Sequence, residues 1–295
     1  GLGLKKKNQK SEKAPVLKTD SSELKKFLQS LPFELTGDQQ TALKDIQRDL
    51  ERHFAMSRLV QGDVGSGKTV VALASAVIAA GNGFQTALMA PTELLAQQHF
   101  RTAEKLFQPL GIVSLLLTHS NASDNEVKEA IRTGRAQLVI GTHALFQKGV
   151  QFHKLGLVIV DEQHRFGTKQ RRALAHKGDA APHFLSMTAT PIPRTLEMSL
   201  VGIRDLSLLN TPPADRQPIL TYVGGYSEPV ALEAIRRELL REGQVFWVHN
   251  RVQSIEERAR ELRELVPEAR IAVAHGQMDE GELEQVVLDF WEGQF

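Results

Sequence analysis

The sequence predicts an α/β fold, a parallel sheet with helices on both faces, and three observations predict it. Short apolar runs alternate with helical stretches along most of the 295 residues. Several runs are nearly continuous in aliphatic and β-branched residues, as strands buried on both faces of a parallel sheet require. The chemically suggestive polar residues fall just past the run ends, at 62–69, 91–93, 141–143, 161–164 and 188–190. A parallel α/β sheet binds its ligands at the carboxyl ends of its strands.

The stretch "DSSELKKFLQSL" reads as a short helix. Asp20, Ser21 or Ser22 can cap it, Leu24, Phe27, Leu28 and Leu31 share one face, and Pro32 ends it. "GDQQTALKDIQRDLERHF" repeats the pattern, with Leu43, Ile46, Leu50 and Phe54 on one stripe. The strand candidates that follow are "RLVQ", "QTALMA", "VSLLLTH", "AQLVIGT", "LGLVIVDE" and "HFLSMTAT". "LNTPPADRQPIL" carries three prolines and no period, so it reads as an interdomain linker. A second alternation then pairs "LTYV", "QVFWVHN" and "ARIAVAH" with helices over 228–242, 254–265 and 279–292. The expected organisation is a basic linker and short helix over 1–30, a first domain over 31–208, a linker over 209–222 and part of a second domain over 223–295.

The absence of cysteine excludes disulfides and thiolate metal sites. No apolar stretch approaches the roughly 20 residues that span a bilayer, and "GLGLKKKNQKSEK" lacks the apolar core of a signal peptide. The expectation is a cytoplasmic monomer with no membrane partner. Net charge is +1, but residues 1–18 hold six lysines and one glutamate, a charge of +5, which leaves −4 for the rest. That run serves as a solvated linker or as a DNA-contacting arm, and net charge by itself does not argue for nucleic acid.

"GDVGSGKT" has the phosphate-loop pattern. Gly62, Asp63, Val64, Gly65, Ser66 and Gly67 would turn consecutive backbone N–H groups inward around phosphate oxygens, and the helix that follows would present its positive end. Lys68 would reach the β- and γ-phosphates and the Thr69 hydroxyl would take a Mg²⁺ position. Such an ion needs an acid at a neighbouring strand end, which Asp161 supplies, while Glu162 can polarise the attacking water. The residues therefore imply nucleoside triphosphate hydrolysis with Mg²⁺.

The wider pattern resembles the superfamily 2 helicases and translocases. "LPFELTGDQQ" is similar to the adenine-recognising stretch of that group, which implies that the nucleotide is ATP, that Gln39 reads the base and that Phe33 and Thr36 help seat it. "APTELLAQQH", "GTHALFQ", "DEQH" and "MTATPIPRTL" resemble motifs Ia, Ib/Ic, II and III in order and spacing. The resemblance implies a RecA-like first domain followed by an incomplete second RecA-like domain. From Leu17 through Arg194 the phrasing resembles the RecG family of ATP-dependent DNA helicases, which remodel stalled forks and branched junctions. Beyond Arg194, "VFWVHNRVQSIEERARELRELVPEARIAVAHGQM" is more similar to the transcription-repair coupling factor family, so the chain is a divergent member or a hybrid of the two.

Further roles follow from that resemblance. Thr92 opens a helix and can cap it, bind a DNA phosphate, or both, and Thr142 and His143 stand similarly past a strand end. Gln163 and His164, with Thr188 and Thr190, would couple hydrolysis to domain movement. Arg194 could face DNA, and His249, Asn250 and Arg251 fall where motif IV contacts the nucleic-acid backbone. The leading reading is a RecG-like motor on double-stranded or branched DNA. Alternatives are a coupling-factor motor acting on RNA polymerase, a DEAD/DEAH RNA helicase, disfavoured by "DEQHRFG", and a nucleotide-switched binding module. Motifs V and VI do not occur before the chain stops at "WEGQF", so the expectation is that it binds Mg·ATP and turns it over slowly alone.

Overall fold

A computed structural model describes residues 13–118, 121, 124–147, 149–162, 180–190, 205–211 and 220–295. The chain divides into two compact units, Gly1–Gln217 and Pro218–Phe295. In the first, helices α1 (Ser22–Ser30) and α2 (Gly37–Leu50) precede a seven-stranded sheet. Its strands are β1 (Ser57–Gly62), β2 (Gln85–Met89), β3 (Ser114–Leu117), β4 (Leu138–Gly141), β5 (Leu155–Val160), β6 (His183–Thr188) and β7 (Asp205–Leu209). Helices α3 (Lys68–Gly81), α4 (Glu93–Phe107) and α5 (Asn125–Arg132) connect them. The strand order is β3-β4-β2-β5-β6-β1-β7 and every pairing is parallel.

The period of two sorts the strand residues onto two cores. Leu88, Ile140, Leu157, Ile159, Leu185 and Val60 face the helices α1 to α4. Ala87, Met89, Val139, Val158 and Val160 face the opposite side, where Ile131 of α5 packs with Leu145, Val150 and Phe152. Both faces are covered, as the near-continuous apolar runs predict. The helix α3 is buried from Val70 through Ala79, and its alanines and Ser75 let it lie directly against the sheet.

Helix α1 is capped by Ser21, whose Oγ accepts from Leu24 N at 3.1 Å. Phe27 meets Phe107 edge-on, with centroids 6.0 Å apart, which packs α1 on α4. Phe54 departs from the expected stripe: α2 ends at Leu50, and Phe54 is partly exposed beyond it, bridging to Lys13. The residues before α1 explain this. Leu17 is fully buried, its N–H donates to Leu50 O, and Ala14 N donates to His53 O, so the segment over 13–17 occupies the surface that a longer helix would cover. Strand β7 was not among the sequence candidates. It is a short edge strand, held where buried Arg58 of β1 donates to Ser207 Oγ at 2.8 Å and to Asp49 Oδ2 at 2.7 Å.

The second unit holds α6 (Glu228–Leu240), α7 (Ile255–Leu265) and α8 (Glu280–Trp291), as the sequence predicts. Ile235, Leu262 and Val266 form its core with Val245, Trp247 and Ile271 against them. The three strands expected at 220–223, 244–250 and 269–275 do not form among the described residues. The 244–249 backbone keeps a strand's alternation, with Val245 and Trp247 half-buried and Phe246 and Val248 exposed. It has no ladder partner, and extended segments without one are not stable strands.

His183 is buried at the start of β6, accepting from Met56 N at Nδ1 (3.1 Å) and donating from Nε2 to Pro15 O (2.7 Å). Burial pushes its pKa below the ordinary imidazole value, outweighing the Pro15 bond and the distant Asp49 charge. A protonated ring would also turn a second donor onto the Met56 N–H. The folded imidazole therefore binds a proton less readily than the unfolded one. The resulting stabilisation is complete above about pH 6.5 and declines as pH falls below it. Melting temperatures at pH 7.5 and 5.5 should show a larger loss for the native chain than for His183→Gln.

Candidate active site

The carboxyl ends of β4, β2, β5, β6 and β1 lie in that order along one edge of the sheet. This order brings Gly62–Thr69, Thr92, Thr142, His143, Asp161, Glu162, Thr188 and Thr190 to that edge. At β1, Gly62 pairs with Leu209, and a side chain at Gly62 would run into Ser66 Oγ and the Leu209 backbone. Gly65 (φ +78°) and Gly67 (φ +83°) take the left-handed conformation that curls the loop before α3. Asp63, Val64 and Gly65 are exposed at the rim. Asp63 O accepts from Ser66 N, and Lys68 Nζ donates to Gly62 O at 2.7 Å and Asp63 O at 2.8 Å.

Two observations test the loop against a phosphate ligand. The N-cap of α3 is Gly67, which has no side chain to cap the first turn, and Ser66 Oγ is buried without a hydrogen bond. A helix N-terminus whose N-cap offers no side-chain acceptor suits a multiply charged oxyanion. Mg²⁺ also suits the donor set. Among the described residues no group of three or more His, Cys, Asp or Glu could hold a metal unaided. An ion bound through one carboxylate, one hydroxyl, water and substrate phosphate needs no such group, and Asp161 and Thr69 offer one oxygen of each kind.

Of the residues expected around adenine, Thr36 and Gln39 are held by one another, and Gln39 also by the phosphate loop. Thr36 caps α2 and forms a capping box with Gln39: Thr36 N donates to Gln39 Oε1 at 2.9 Å and Gln39 N to Thr36 Oγ1 at 3.3 Å. Gln39 is buried and its Nε2 donates to Ser66 O at 2.8 Å. Its amide thus ties α2 to the phosphate loop, leaving one N–H and one lone pair for a base. Phe33 is half exposed.

At β5, Asp161 N still pairs with Met89 O, so the aspartate is fixed by the last rung of the ladder. Its Oδ1 accepts from Glu162 N at 3.0 Å and its Oδ2 meets His99 Nε2 at 2.7 Å. Glu162 follows at φ +46°, a left-handed conformation that a non-glycine residue adopts only under restraint. The restraint is visible: its carboxylate accepts from Ala189 N at 3.2 Å and from Thr188 Oγ1 at 3.4 Å, and Thr188 Oγ1 in turn accepts from Thr190 N at 3.1 Å. The turn after β6 therefore holds the second acid.

Thr92 caps α4, accepting from Leu95 N, and is exposed. Thr142 is buried and does not cap the 3₁₀ turn that His143 begins, while His143 is exposed. In the second unit His249 Nε2 bonds Ser254 Oγ at 2.9 Å beside exposed Asn250 and Arg251. Gln163, His164 and Arg194 lie outside the described residues.

Two residues at the edge were not singled out from sequence. Asp38, next to Gln39, accepts at one oxygen from Thr211 N (2.8 Å), Thr211 Oγ1 (2.9 Å) and Asn210 N (2.9 Å). The Thr211 and Asn210 donors hold its carboxyl below the usual carboxylate range, and they fasten the root of the proline-rich segment to α2. His99 lies within the quoted "APTELLAQQH", and its signal was a polar residue on the otherwise apolar stripe of Ala96, Ala103 and Phe107.

Fold and edge together define a RecA-like helicase domain. Residues 36–199 match the DEAD/DEAH box helicases, and the chain belongs to that family. It is similar to the transcription-repair-coupling factor of Bacillus subtilis (strain 168), at 44% identity over 288 residues, 96% of this chain and 24% of that protein. The factor of Mycobacterium tuberculosis (strain CDC 1551 / Oshkosh) is 47% identical over 263 residues, 88% of this chain and 21% of that one. A structure of RecG bound to a three-way DNA junction superposes with a TM-score of 0.84 at 35% identity, covering 99% of this chain and 39% of that chain. The chain spans about a quarter of the length of the curated relatives it matches. Among the described residues no helix is long and apolar enough to cross a membrane.

Gly67 and Gly83 share a positive φ, but a side chain at Gly67 would strike Gln39 Nε2 whereas Gly83 faces open space. Substituting alanine should cost about 1–2 kcal/mol of backbone strain at each. Denaturant unfolding should show the larger loss for Gly67→Ala, and equal losses would mean that the Gln39–Ser66 tie contributes nothing.

Proposed function

We propose that this chain is the ATP-hydrolysing part of a motor that moves on double-stranded DNA. The observation that carries the reading is the shared edge: an anion cradle at the end of β1 and the Asp161–Glu162 pair at the end of β5, with the β6 turn between them holding Glu162.

In this reading the amides of the loop and Lys68 hold the substrate's phosphates, and Lys68 exchanges its two carbonyl partners for phosphate oxygens. Thr69 and Asp161 are the side chains that would hold Mg²⁺, which when bound neutralises charge developing on the transferred phosphoryl group. Glu162 orients a water and accepts its proton. Because its carboxylate is bonded to Ala189 and Thr188, a displacement of that turn changes the aim of the base, which gives Thr188 and Thr190 their coupling role. Gln163 and His164 are assigned to the same coupling by resemblance. Phe33, Thr36 and the remaining capacity of Gln39 face the base. Thr92, Thr142, His143 and Arg194, with His249, Asn250 and Arg251 of the second unit, are assigned to the DNA backbone, where contacts position without reading sequence.

Among such motors the coupling-factor type, whose partner would be RNA polymerase, is supported by 44–47% identity over 88–96% of the chain. The RecG type, acting on branched DNA, has 35% identity and the same fold over the whole chain to support it. Residues 223–295 are read as the beginning of the second RecA-like domain, and the chain as a monomer working in the cytoplasm.

Nucleotide binding and Mg·ATP turnover, each with linear duplex, forked duplex and RNA, test the motor reading. Lys68→Ala should lose nucleotide binding. Glu162→Gln should keep it and lower turnover by about 10²-fold or more. Duplex DNA should stimulate turnover more than RNA does. Nucleotide binding indifferent to Lys68, or stimulation by RNA alone, would overturn the proposal.

A further inference from the structure

His99 sits on α4, seven residues past its N-cap, on the stripe where Ala96, Ala103 and Phe107 are buried. An imidazole on a core-facing stripe must find a partner or lose its hydration without compensation. Its partner is the acid at the end of β5: Nε2 and Asp161 Oδ2 are 2.7 Å apart, with the two side chains only 10% and 14% exposed. At that distance the ring N–H donates to a carboxylate oxygen in a charge-assisted hydrogen bond. The other oxygen of Asp161 is engaged by Glu162 N. A donor on each oxygen stops the carboxylate from rotating, and leaves its outward lone pairs as the positions from which it can ligate.

We infer that His99 is a positioning residue that presents Asp161 to the divalent cation, acting from the helix whose N-terminus is capped by Thr92. The inference rests on the reading of Asp161 as the cation's carboxylate. Thr92 and His99 are about 10 Å apart along one continuous helix, so the N-terminus of α4 and the metal-holding acid are rigidly joined. A core histidine that merely satisfied itself would have served equally well bonded to a backbone carbonyl. Bonded to this carboxylate, it sets the geometry of a ligand, and outer partners of that kind are worth about 10–100-fold in metal affinity.

The test is the Mg²⁺ concentration that half-saturates binding of a fluorescent adenine nucleotide, with the metal-free nucleotide affinity measured alongside. His99→Ala should raise the midpoint about 10-fold or more and leave metal-free affinity unchanged. His99→Gln, whose Nε2 reaches about as far from the backbone as the imidazole Nε2, should stay close to the native midpoint. His99→Asn has a donor one bond too short, so it should resemble alanine and serves in its place should the alanine chain fail to fold. An unmoved midpoint in His99→Ala or His99→Asn overturns the inference. So does a metal-free affinity that falls by the same factor, or a glutamine variant as impaired as alanine. A native chain that binds nucleotide neither with nor without Mg²⁺ removes the proposed function itself, and this inference with it.

Discussion

Strand β6 pairs with β1 on one side and with β5 on the other, which sets the phosphate loop and Asp161 two strand spacings apart, about 10 Å. The rest of the edge depends on that interval. It is wide enough for a terminal phosphate and a hydrated cation. It also places the turn after β6 between the two, so Thr188 and Ala189 reach Glu162 without any long side chain. The parallel ladder enforces the spacing, and cores on both faces enforce the ladder.

Around that frame the short-range chemistry is a set of linked restraints. Gln39 joins the cap of α2 to Ser66 of the phosphate loop, and Asp38, one residue earlier, grips Asn210 and Thr211. Gly62 is pressed against Leu209, so the loop, α2 and the root of the proline-rich segment share one small volume. On the acid side His99, Asp161, Glu162 and the β6 turn form a second chain of contacts, with Glu162 held at a positive φ between them. Ligand binding at the loop therefore acts on groups that already hold other elements in place.

The two units differ in how they satisfy their backbones. In the first, every strand has a parallel neighbour and helices cover both faces. In the second, among the described residues, three helices bury a small core, while the extended 244–249 stretch keeps a strand-like alternation without a ladder partner and exposes Phe246 and Val248. The same kind of sequence signal, a short apolar run, became a strand in one unit and an unpaired segment in the other, because pairing is a property of neighbours.

Much of the fold and the site was legible in the residues themselves. Local chemistry dictates a glycine loop before an alanine-rich helix, a Ser or Thr before each of α1, α2 and α4, and apolar runs ending in Asp161 or Thr188. Local chemistry is written in adjacent residues, and six strands and the edge that carries the site follow from it. What the sequence by itself determined was therefore where six strands of the first unit end and which polar residues lie past those ends. Only the tertiary structure decided that β7 closes the edge through Arg58 and Ser207, that α2 stops at Leu50 because residues 13–17 cover its end, and that Gln39 spends its amide on Ser66. It alone joined His99 to Asp161, 62 residues away. Each of these is a contact between distant segments, whose free energy depends on burial and on the partners that packing brings within reach, and no local pattern encodes either.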